Sequence, residues 1–409
     1  MNRIVLIGNG FDLAHGLPTS YEDFISWYWD QRVKDFSRAF GQYSEDCLCT
    51  FEIGYPNTWN DFYNQKVSPY SNPRGRDIVE RIRQKQYGTQ IKVSFSPFFS
   101  NIIESIETKG WVDIENEYYR LLINSTIQQT SDIGLNELNK HFAFLKELLI
   151  DYLNLLNYNK IKKIESIYNN IYCPIMRNEI SIEGQHFVNE YVNDWMEKND
   201  FDLHEKIDRF DLSATDYINE IINYKDTSNA RRVLLDYPRL YMLPDYILLL
   251  NFNYTNTSHL YENMKCCMTT HIHGNLQDSS RIIFGYGDEL DSMYKQLQAL
   301  NDNECLRNIK SINYLESANY RSALSFMESA PFQIVIMGHS CGNSDRTLLN
   351  TLFEHKNCIS IKPYYYQKND GTDNYLDIIQ NISRNFTDMK LMRDRVVNKT
   401  YCEPLPQAK

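Results

Sequence analysis

The sequence predicts an α/β protein in which a parallel sheet is split along the chain by a large helical insertion. The apolar run at residues 4–7 ends in a glycine-rich turn, which is typical of a buried first strand. Further short apolar or β-branched runs come only after residue 240, and helical stretches separate them. Residues 30–240 carry few strand signals. We therefore assign the sheet to the two ends of the chain and helices to its middle.

The individual elements follow from spacing and composition. Six apolar side chains recur three or four residues apart and predict one face of a helix: Leu138, Phe142, Leu145, Leu149, Leu153 and Leu156. Thr19 and Glu22 have the spacing of a capping box and predict a helix start. Residues 54–76 are rich in proline and predict an irregular loop. Strands are predicted at residues 246–251, 269–273, 282–285, 333–338 and 358–365.

These elements predict three segments of the chain. Residues 1–29 and 241–397 form a nucleotide-binding domain around the sheet, residues 30–240 form the helical insertion domain, and residues 398–409 form a tail. The length of 409 residues suffices for two folded units. An insertion at this place would cover the open side of a cleft at the sheet.

Composition narrows the function classes. The formal net charge of -11 leaves no overall positive field for phosphate backbones, so nucleic-acid binding is disfavoured. No run approaches the roughly 18 apolar residues of a membrane span, and the first apolar run is too short for a signal peptide. We therefore expect a cytoplasmic protein. The nine cysteines include no Cys-x-x-Cys pair, so we expect neither a disulfide framework nor a zinc ribbon, and no metal is expected elsewhere in the chain.

The turn after the first strand predicts a phosphate-binding loop. Gly8 and Gly10 have no side chain to keep a phosphate from the backbone, and amides at a helix start carry positive partial charge. The third glycine of a dinucleotide fingerprint comes late, at Gly16. These glycines could also simply end a first strand, and that alternative stays open. The predicted ligand contacts of this segment are Gly8, Asn9, Gly10, Phe11, Asp12, Gly16 and Pro18.

This segment resembles sequences of two protein families. The spacing from Gly8 to Gly16 and Pro18 is similar to the sirtuin fingerprint, in which a Gly-x-Gly turn is followed six residues later by Gly-Ile-Pro. Residues 8–24, GNGFDLAHGLPTSYEDF, resemble the opening of the bacterial AbiH family of phage abortive-infection proteins. The resemblance implies a Rossmann-like, sirtuin-related core that binds NAD. The chain has nothing matching the four-cysteine zinc module of sirtuin deacylases, which disfavours deacylation.

Asn253 follows the predicted strand 246–251, at the carboxyl end where open α/β sheets bind ligands. It falls at the position of the Asn in the sirtuin Thr-Gln-Asn-Ile-Asp motif and in the Thr-Thr-Asn-Tyr-Asp motif of sirtuin-like NAD-cleaving proteins. Thr255 stands where those motifs have Asp. The resemblance implies that Asn253 orients the ribose or a water and that Thr255 contacts the ligand. A turn-capping role for Asn253 stays open.

The pair His273-Gly274 resembles the catalytic His-Gly of sirtuins. The resemblance implies that His273 takes a proton as the nicotinamide bond breaks, which suits the near-neutral pKa of an imidazole. His271 lies two residues earlier in an extended segment, so we expect both side chains to point the same way. Two histidines alone are a weak metal signal, and a structural role for them stays open.

Residues 338–342 read Gly-His-Ser-Cys-Gly after a predicted strand and have the spacing of a hydrolase nucleophile elbow. After Ser340 the only histidine is His355, too near in sequence to complete a triad from a separate loop. The segment resembles the sirtuin Gly-Thr-Ser turn and the AbiH pattern Gly-His-Ser followed by Asp. The resemblance implies ligand contacts by Gly338, His339, Ser340 and Asp345.

Two acidic segments also resemble AbiH motifs. Asp113 and Glu117 would share one face of a helix, where acids are usually complements to the helix dipole. Asp288 and Glu289 lie in a glycine-rich turn and could contact ribose hydroxyls or simply be solvated. Catalytic and structural roles stay open for all four acids.

The resemblance implies an antiphage abortive-infection effector that hydrolyses NAD to nicotinamide and ADP-ribose. A sensor that binds NAD or ADP-ribose without turnover is the main alternative, and a serine hydrolase using Ser340 is a further one. The expected partners are NAD or a related nucleotide, a phage trigger protein or another defence-system subunit, and a second copy of the chain.

Overall fold

The computed structural model describes residues 1–38, 43–53, 74–83, 91–109, 113–198, 200–210, 214–227 and 236–408. The chain divides into two compact units. The first unit comprises Met1–Leu17, Tyr158–Ile283 and Lys310–Lys409, and the second comprises Pro18–Asn157 and Phe284–Ile309. Among the described helices, none is long and apolar enough to cross a membrane.

The described residues contain eight strands and seventeen α-helices, besides short turns and 3-10 helices. The strands are β1 (Asn2–Ile7), β2 (Tyr43–Glu45), β3 (Cys49–Ile53), β4 (Ile91–Phe95), β5 (Ile247–Asn251), β6 (Cys267–His271), β7 (Phe332–Met337) and β8 (Cys358–Tyr364). The helices are α1 (Asn9–Ala14), α2 (Tyr21–Arg38), α3 (Gly75–Arg83), α4 (Pro97–Lys109), α5 (Ile114–Thr126), α6 (Leu135–Asn154), α7 (Glu165–Tyr172), α8 (Gly184–Glu197), α9 (Asp200–Arg209), α10 (Ala214–Asp226), α11 (Arg239–Met242), α12 (Ser292–Ala299), α13 (Lys310–Asn313), α14 (Asn319–Ser329), α15 (Arg346–Phe353), α16 (Tyr375–Arg384) and α17 (Met389–Arg395).

The first unit contains a five-stranded parallel sheet with the order β6-β5-β1-β7-β8. Counted by their order along the chain, the strands run 3-2-1-4-5, so the winding of the sheet reverses between β1 and β7. Ile7 at the end of β1 pairs with Asn251 of β5 and Met337 of β7. The carboxyl ends of these strands therefore meet at one edge. The parallel α/β sheet predicted from the sequence is present.

Alternate residues of the strands enter two separate apolar cores. Val5 and Ile7 belong to one core, together with buried residues of α1 and α7 to α11. Ile4 and Leu6 belong to the other, together with buried residues of α14 to α17. Burying each such side chain stabilises the fold by about 1.5–3 kcal/mol. Because helices of residues 158–240 cover one face of the sheet, this stretch lies in the sheet unit, although the sequence analysis placed it in the insertion.

The second unit contains the predicted amphipathic helix as α6, with its apolar stripe buried. It also contains an antiparallel sheet of β2, β3 and β4, where the sequence indicated few strands. The helix start is shifted by one residue from the prediction, since Ser20 and Asp23 form the reciprocal cap of α2. Residues 54–73 of the predicted loop lie outside the described residues, and Gly75 begins α3.

Two further predictions differ from the structure. Residues 282–285 form no strand, because the Ile283 amide donates to the His273 carbonyl and the Gly285 amide donates to the Glu115 carboxylate. The described part of the predicted tail, residues 398–408, packs against the rest of the first unit. Leu405 is buried, and its amide donates to the Tyr365 carbonyl at 2.8 Å.

The loops that follow β1 and β7 contact each other through their backbones. The Gly10 amide donates to the Gly338 carbonyl at 2.8 Å. A Cβ atom on Gly8 would lie 2.5 Å from the His339 Cα, and one on Gly338 would lie 2.1 Å from the Phe11 nitrogen. Gly338 also has a φ of +76°, which side-chain-bearing residues rarely adopt. Glycine is therefore required here for the two loops to approach.

We expect Gly338→Ala to destabilise the protein more than Gly371→Ala. Both glycines have a left-handed φ, which costs an alanine about 1–2 kcal/mol, but a Cβ on Gly371 meets nothing within 4 Å. The difference between the two variants in the free energy of unfolding, measured by urea titration, isolates the contact between the loops. Equal losses in the two variants would show that this contact is not tight.

Candidate functional site

The polar side chains that follow β1, β5, β6 and β7 gather at the carboxyl edge of the parallel sheet in the first unit. One group surrounds a buried carboxylate, and we call it the Asp345 cluster: His273, Lys310, Tyr314, His339 and Asp345. A second group joins the ends of β5 and β1 through Asn253, Thr255 and Asp12. The two groups share the segment around Phe252, whose ring lies 5.3 Å from that of His273 and 4.1 Å from that of His339.

Three side-chain nitrogen atoms lie within 3.5 Å of the Asp345 carboxylate oxygens. Lys310 Nζ lies 2.8 Å and His273 Nε2 3.2 Å from Asp345 Oδ1, and His339 Nε2 lies 3.5 Å from Oδ2. The Tyr314 hydroxyl lies 3.2 Å from His273 Nε2. All five side chains are buried, and Lys310 is only 1% exposed. A carboxylate and an ammonium group are thus paired away from water.

The charges of the cluster determine its protonation. Burial alone would raise the pKa of Asp345, but the Lys310 ammonium and His273 bring it well below its usual value. Burial and the Lys310 charge lower the pKa of His273, against the attraction of Asp345. The neutral His273 ring then donates from Nε2 to the Asp345 carboxylate, which leaves Nδ1 unprotonated. This is the arrangement of an imidazole that can accept a proton.

Asn253 and Asp12 form the second group. Asn253 Nδ2 donates to the Gly8 carbonyl at 2.9 Å, and Thr255 Oγ1 donates to Asp12 Oδ2 at 2.6 Å. Within the described chain, Asp12 Oδ1 is buried with no hydrogen-bond partner. Burial raises the pKa of Asp12 to about 6, although the Thr255 hydrogen bond opposes this. The side chains of Thr257 and Asn253 oppose this rise as well, so the buried Asp12 carboxyl group has several polar neighbours.

The glycine turn is occupied by backbone hydrogen bonds. The amides of Gly8, Gly10 and Phe11 donate to the carbonyls of Met337, Gly338 and Gly8, respectively. The sequence analysis explained these glycines by the approach of a phosphate to bare amides. The contacts explain them instead by the approach of the β7 loop, and these three amides are not open to an anion in this conformation.

The other residues predicted in this turn have separate surroundings. Gly16, with a φ of +78°, ends α1, where its amide donates to the Leu13 carbonyl as in a helix C-cap. The Phe11 ring is buried against Tyr261, and Asn9 is exposed. Pro18 belongs to the second unit, so the structure does not group it with the Asp345 cluster.

His271 does not join the Asp345 cluster. Its Nδ1 lies 3.2 Å from the Asn253 carbonyl oxygen, and its Nε2 lies 3.3 Å from His259 Nε2. The expectation that His271 and His273 share one face is wrong, because β6 ends at His271 and residues 272 and 273 lie in a turn, which is closed by the hydrogen bond from the Gly274 amide to the His271 carbonyl. The two histidines therefore have different partners.

Ser340 lacks the surroundings of a hydrolase nucleophile. It is exposed, its carbonyl accepts a hydrogen bond from Asn381, and the positive φ of the turn falls on Cys341. His355 lies 3.4 Å from Glu328. No contact between described residues joins Ser340 to a histidine, so the geometry does not favour the serine hydrolase alternative.

The four acids of the second unit make local contacts. Asp113 caps α5, and the buried Glu117 accepts a hydrogen bond from Ser105 at 2.8 Å. Asp288 accepts amides of the turn that follows it, and Glu289 is exposed. Residues 111 and 112 of the first acidic motif lie outside the described residues. These contacts favour the structural alternative for Asp113, Glu117 and Asp288.

Sequence reasoning missed Lys310 and Tyr314. Both lie just after Ile309, in α13 and the turn that follows it, and neither belongs to a recognisable motif. The one signal is a lysine that lies between Ile309 and Ile312, which is compatible with an ordinary amphipathic helix. Their role depends on a contact with Asp345 that spacing cannot reveal.

We expect Asp12→Asn to remove a pH-dependent loss of stability. The raised pKa means that the folded chain holds the Asp12 proton more tightly than the unfolded chain, whose pKa is near 3.8. Stability is therefore lost as pH rises from about 4 to about 6, by about 3 kcal/mol. Relative to the parent, the variant should gain this amount between pH 4 and pH 7.5 in urea unfolding. A difference that does not change with pH would contradict the raised pKa.

Comparison with known proteins identifies a family. The family model described as bacteriophage abortive infection AbiH matches residues 4–366, which include the glycine turn, Asn253, both histidines of the β6 end and Asp345. No curated protein and no solved structure matches the chain. Since the match extends over most of the sequence, the chain belongs to the AbiH family of bacteriophage abortive infection.

Proposed function

We propose that this protein is an abortive-infection effector that binds NAD and hydrolyses it to nicotinamide and ADP-ribose. Membership of the AbiH family supports the role in phage abortive infection. The reaction is inferred from the resemblance to sirtuin-like proteins and from one observation above all. A neutral, buried His273 is paired with the Asp345 carboxylate at the carboxyl edge of the parallel sheet.

The strand order supports a Rossmann-like, sirtuin-related core. The order 3-2-1-4-5 agrees with the first five strands of the doubly wound dinucleotide-binding sheet. In such sheets the ligand lies outside the carboxyl ends of the strands, where the winding reverses. Here that point is between β1 and β7, beside the contact of Gly10 with Gly338. The proposed NAD site is this edge.

Asp12 supplies a polar group that a ligand would contact. The Asp12 carboxylate is buried beside the side chains of Thr255, Thr257 and Asn253, and a ribose hydroxyl is a donor of a type that could join them. Asn253, whose side chain donates to the Gly8 carbonyl, would orient the ribose or the attacking water. The further ligand contacts of the first unit remain proposals: Asn9, Gly16, Thr255, Gly338, His339, Ser340 and Asp345. Gly8, Gly10 and Phe11 would contact the ligand through groups other than their hydrogen-bonded amides.

In the proposed reaction, the bond between the ribose C1′ and the nicotinamide nitrogen breaks, and its electron pair neutralises the positively charged ring. A water oxygen bonds to C1′ and loses a proton to His273 Nδ1. The Asp345 carboxylate stabilises the imidazolium that forms. The products are nicotinamide, ADP-ribose and a proton, which His273 returns to solvent.

A sensor that binds NAD or ADP-ribose without turnover is the second candidate. The observation that favours it is the burial of His273, which is 4% exposed and whose Nε2 already contacts both Asp345 and Tyr314. A histidine in such a network can serve as a ligand contact alone. Release of nicotinamide by the purified protein, assayed with and without phage components, distinguishes the two candidates.

We expect His273→Ala to abolish NAD hydrolysis while NAD binding persists. Removing a general base typically lowers kcat by a factor of about 100 to 10,000. Nicotinamide release at saturating NAD measures the reaction, and calorimetric titration measures binding. His186→Ala, which removes an exposed imidazole from α8, is the matched control and should keep the parent rate. Equal nicotinamide release with and without the His273 ring would favour the sensor.

We expect the charge of Lys310 to set the pH at which kcat rises on the acidic side of the pH–rate profile. Burial and the Lys310 ammonium lower the pKa of His273, so the parent kcat should rise through a pKa below 6.5. Lys310→Gln removes the repelling charge and should move this rise to higher pH, whereas Lys310→Arg should leave it in place. Thermal melting identifies any unfolded variant, since breaking a buried pair costs about 3–5 kcal/mol. A rise at the same pH in both variants would contradict the assignment.

A further inference from the structure

We propose that His259 and His271 form a binding site for a transition-metal cation of the Zn²⁺ class. His259 lies in the turn Thr257–Tyr261 after β5, and His271 is the last residue of β6. Their Nε2 atoms lie 3.3 Å apart. The site does not depend on the proposed NAD reaction.

The His259 ring has a fixed orientation. Its Nδ1 lies 3.0 Å from Glu262 Oε2, and the other oxygen of this carboxylate accepts the Thr269 amide at 3.0 Å. Because a carboxylate accepts and does not donate hydrogen bonds, His259 Nδ1 carries the hydrogen. A neutral His259 therefore presents an unprotonated Nε2 to His271.

The His271 ring has the same tautomer for a different reason. Its Nδ1 lies 3.2 Å from the Asn253 carbonyl oxygen, which can only accept. Asn251 Nδ2 lies 3.4 Å away, but its two hydrogens have closer acceptors at 3.0 Å, the Thr255 carbonyl and Ser258 Oγ. Nδ1 of His271 therefore carries the hydrogen, and its Nε2 is also unprotonated.

Two nitrogen lone pairs facing each other at 3.3 Å repel unless a positive charge lies between them. A metal ion satisfies both, and the separation fits it: at the usual Zn–N distance of about 2.0–2.1 Å, two ligands of a tetrahedron lie about 3.3–3.4 Å apart. Histidine ligands of metals also typically donate their other nitrogen to a carboxylate or a backbone carbonyl. Glu262 and Asn253 provide one of each.

The site is open on one side. His271 is 7% exposed, whereas the side chain of His259 is 46% exposed, so a cation can enter past His259. The described residues include no cluster of three or more His, Cys, Asp or Glu side chains suited to a metal. Water or an exogenous ligand would therefore complete the coordination, and the bound ion should exchange. The sequence analysis considered a different pair, His271 with His273.

Titration of the full-length, metal-free protein with Zn²⁺ tests the proposal. We expect one site per chain, and we expect His259→Gln to weaken Zn²⁺ binding by at least about 100-fold. The exposed His186 provides the matched control, since His186→Gln removes an imidazole that lies outside the pair. Unchanged Zn²⁺ affinity in a folded His259→Gln variant would overturn the proposal.

Two further measurements do not depend on that variant. Glu262→Gln should weaken Zn²⁺ binding by about 10- to 100-fold without removing a ligand, because Glu262 only holds the His259 ring. X-ray absorption at the zinc edge of the loaded parent protein should show two imidazoles at about 2.0–2.1 Å. A spectrum with fewer than two imidazoles would overturn the site. So would nitrogen NMR that finds a shared imidazolium proton at pH 8 in a parent that takes up no Zn²⁺.

Discussion

The close approach of the backbone after β1 to the backbone after β7 is the constraint on which the candidate site depends. Gly10 and Gly338 are joined by a hydrogen bond of 2.8 Å, and an added Cβ at either position would meet backbone atoms of the other within 2.8 Å. This contact fixes where the loop after β7 begins. His339 and Asp345 follow within that loop, and Asp12 follows in α1. The carboxylates on both sides of the reversal point therefore take their positions from glycine.

The Asp345 cluster is a costly arrangement for a protein interior. Taking a carboxylate and an ammonium out of water costs free energy that their mutual attraction repays only with good geometry and further hydrogen bonds. Asp345 has such bonds, since both of its oxygens face a histidine or a lysine nitrogen. In other proteins, replacing a buried ion pair by well-packed apolar residues of similar volume is often neutral or stabilising. Buried groups whose pKa values are strongly shifted by specific charged partners are typical of functional sites, and this supports a role for the cluster beyond stability.

The sequence predicted most of the parallel sheet because β1, β5 and β7 contain nearly continuous apolar runs, as buried parallel strands do. At the edge of the sheet β6 is more polar, and it begins and ends two residues before the predicted strand 269–273. It did not predict β2, β3 and β4, because these strands mix polar and apolar residues and depend on each other for pairing. Of the site, it anticipated His273, His339 and Asp345 from local motifs. Lys310 could not be anticipated, since its position at Asp345 arises from tertiary packing across 35 residues.

Residues two apart point the same way only within a strand, and His271 and His273 lie where β6 ends. His271 is the last residue of β6, and the chain then turns at residues 272 and 273, so the His273 ring contacts Asp345 whereas the His271 ring contacts Asn253. Asn253 in turn contacts His271 through its carbonyl and Gly8 through its side chain. A positive charge held between His259 and His271 would therefore act on a peptide whose side chain already binds the glycine turn. The histidine pair and the glycine turn are therefore connected through Asn253, and a cation bound to the pair would act on the end of β1 through that residue.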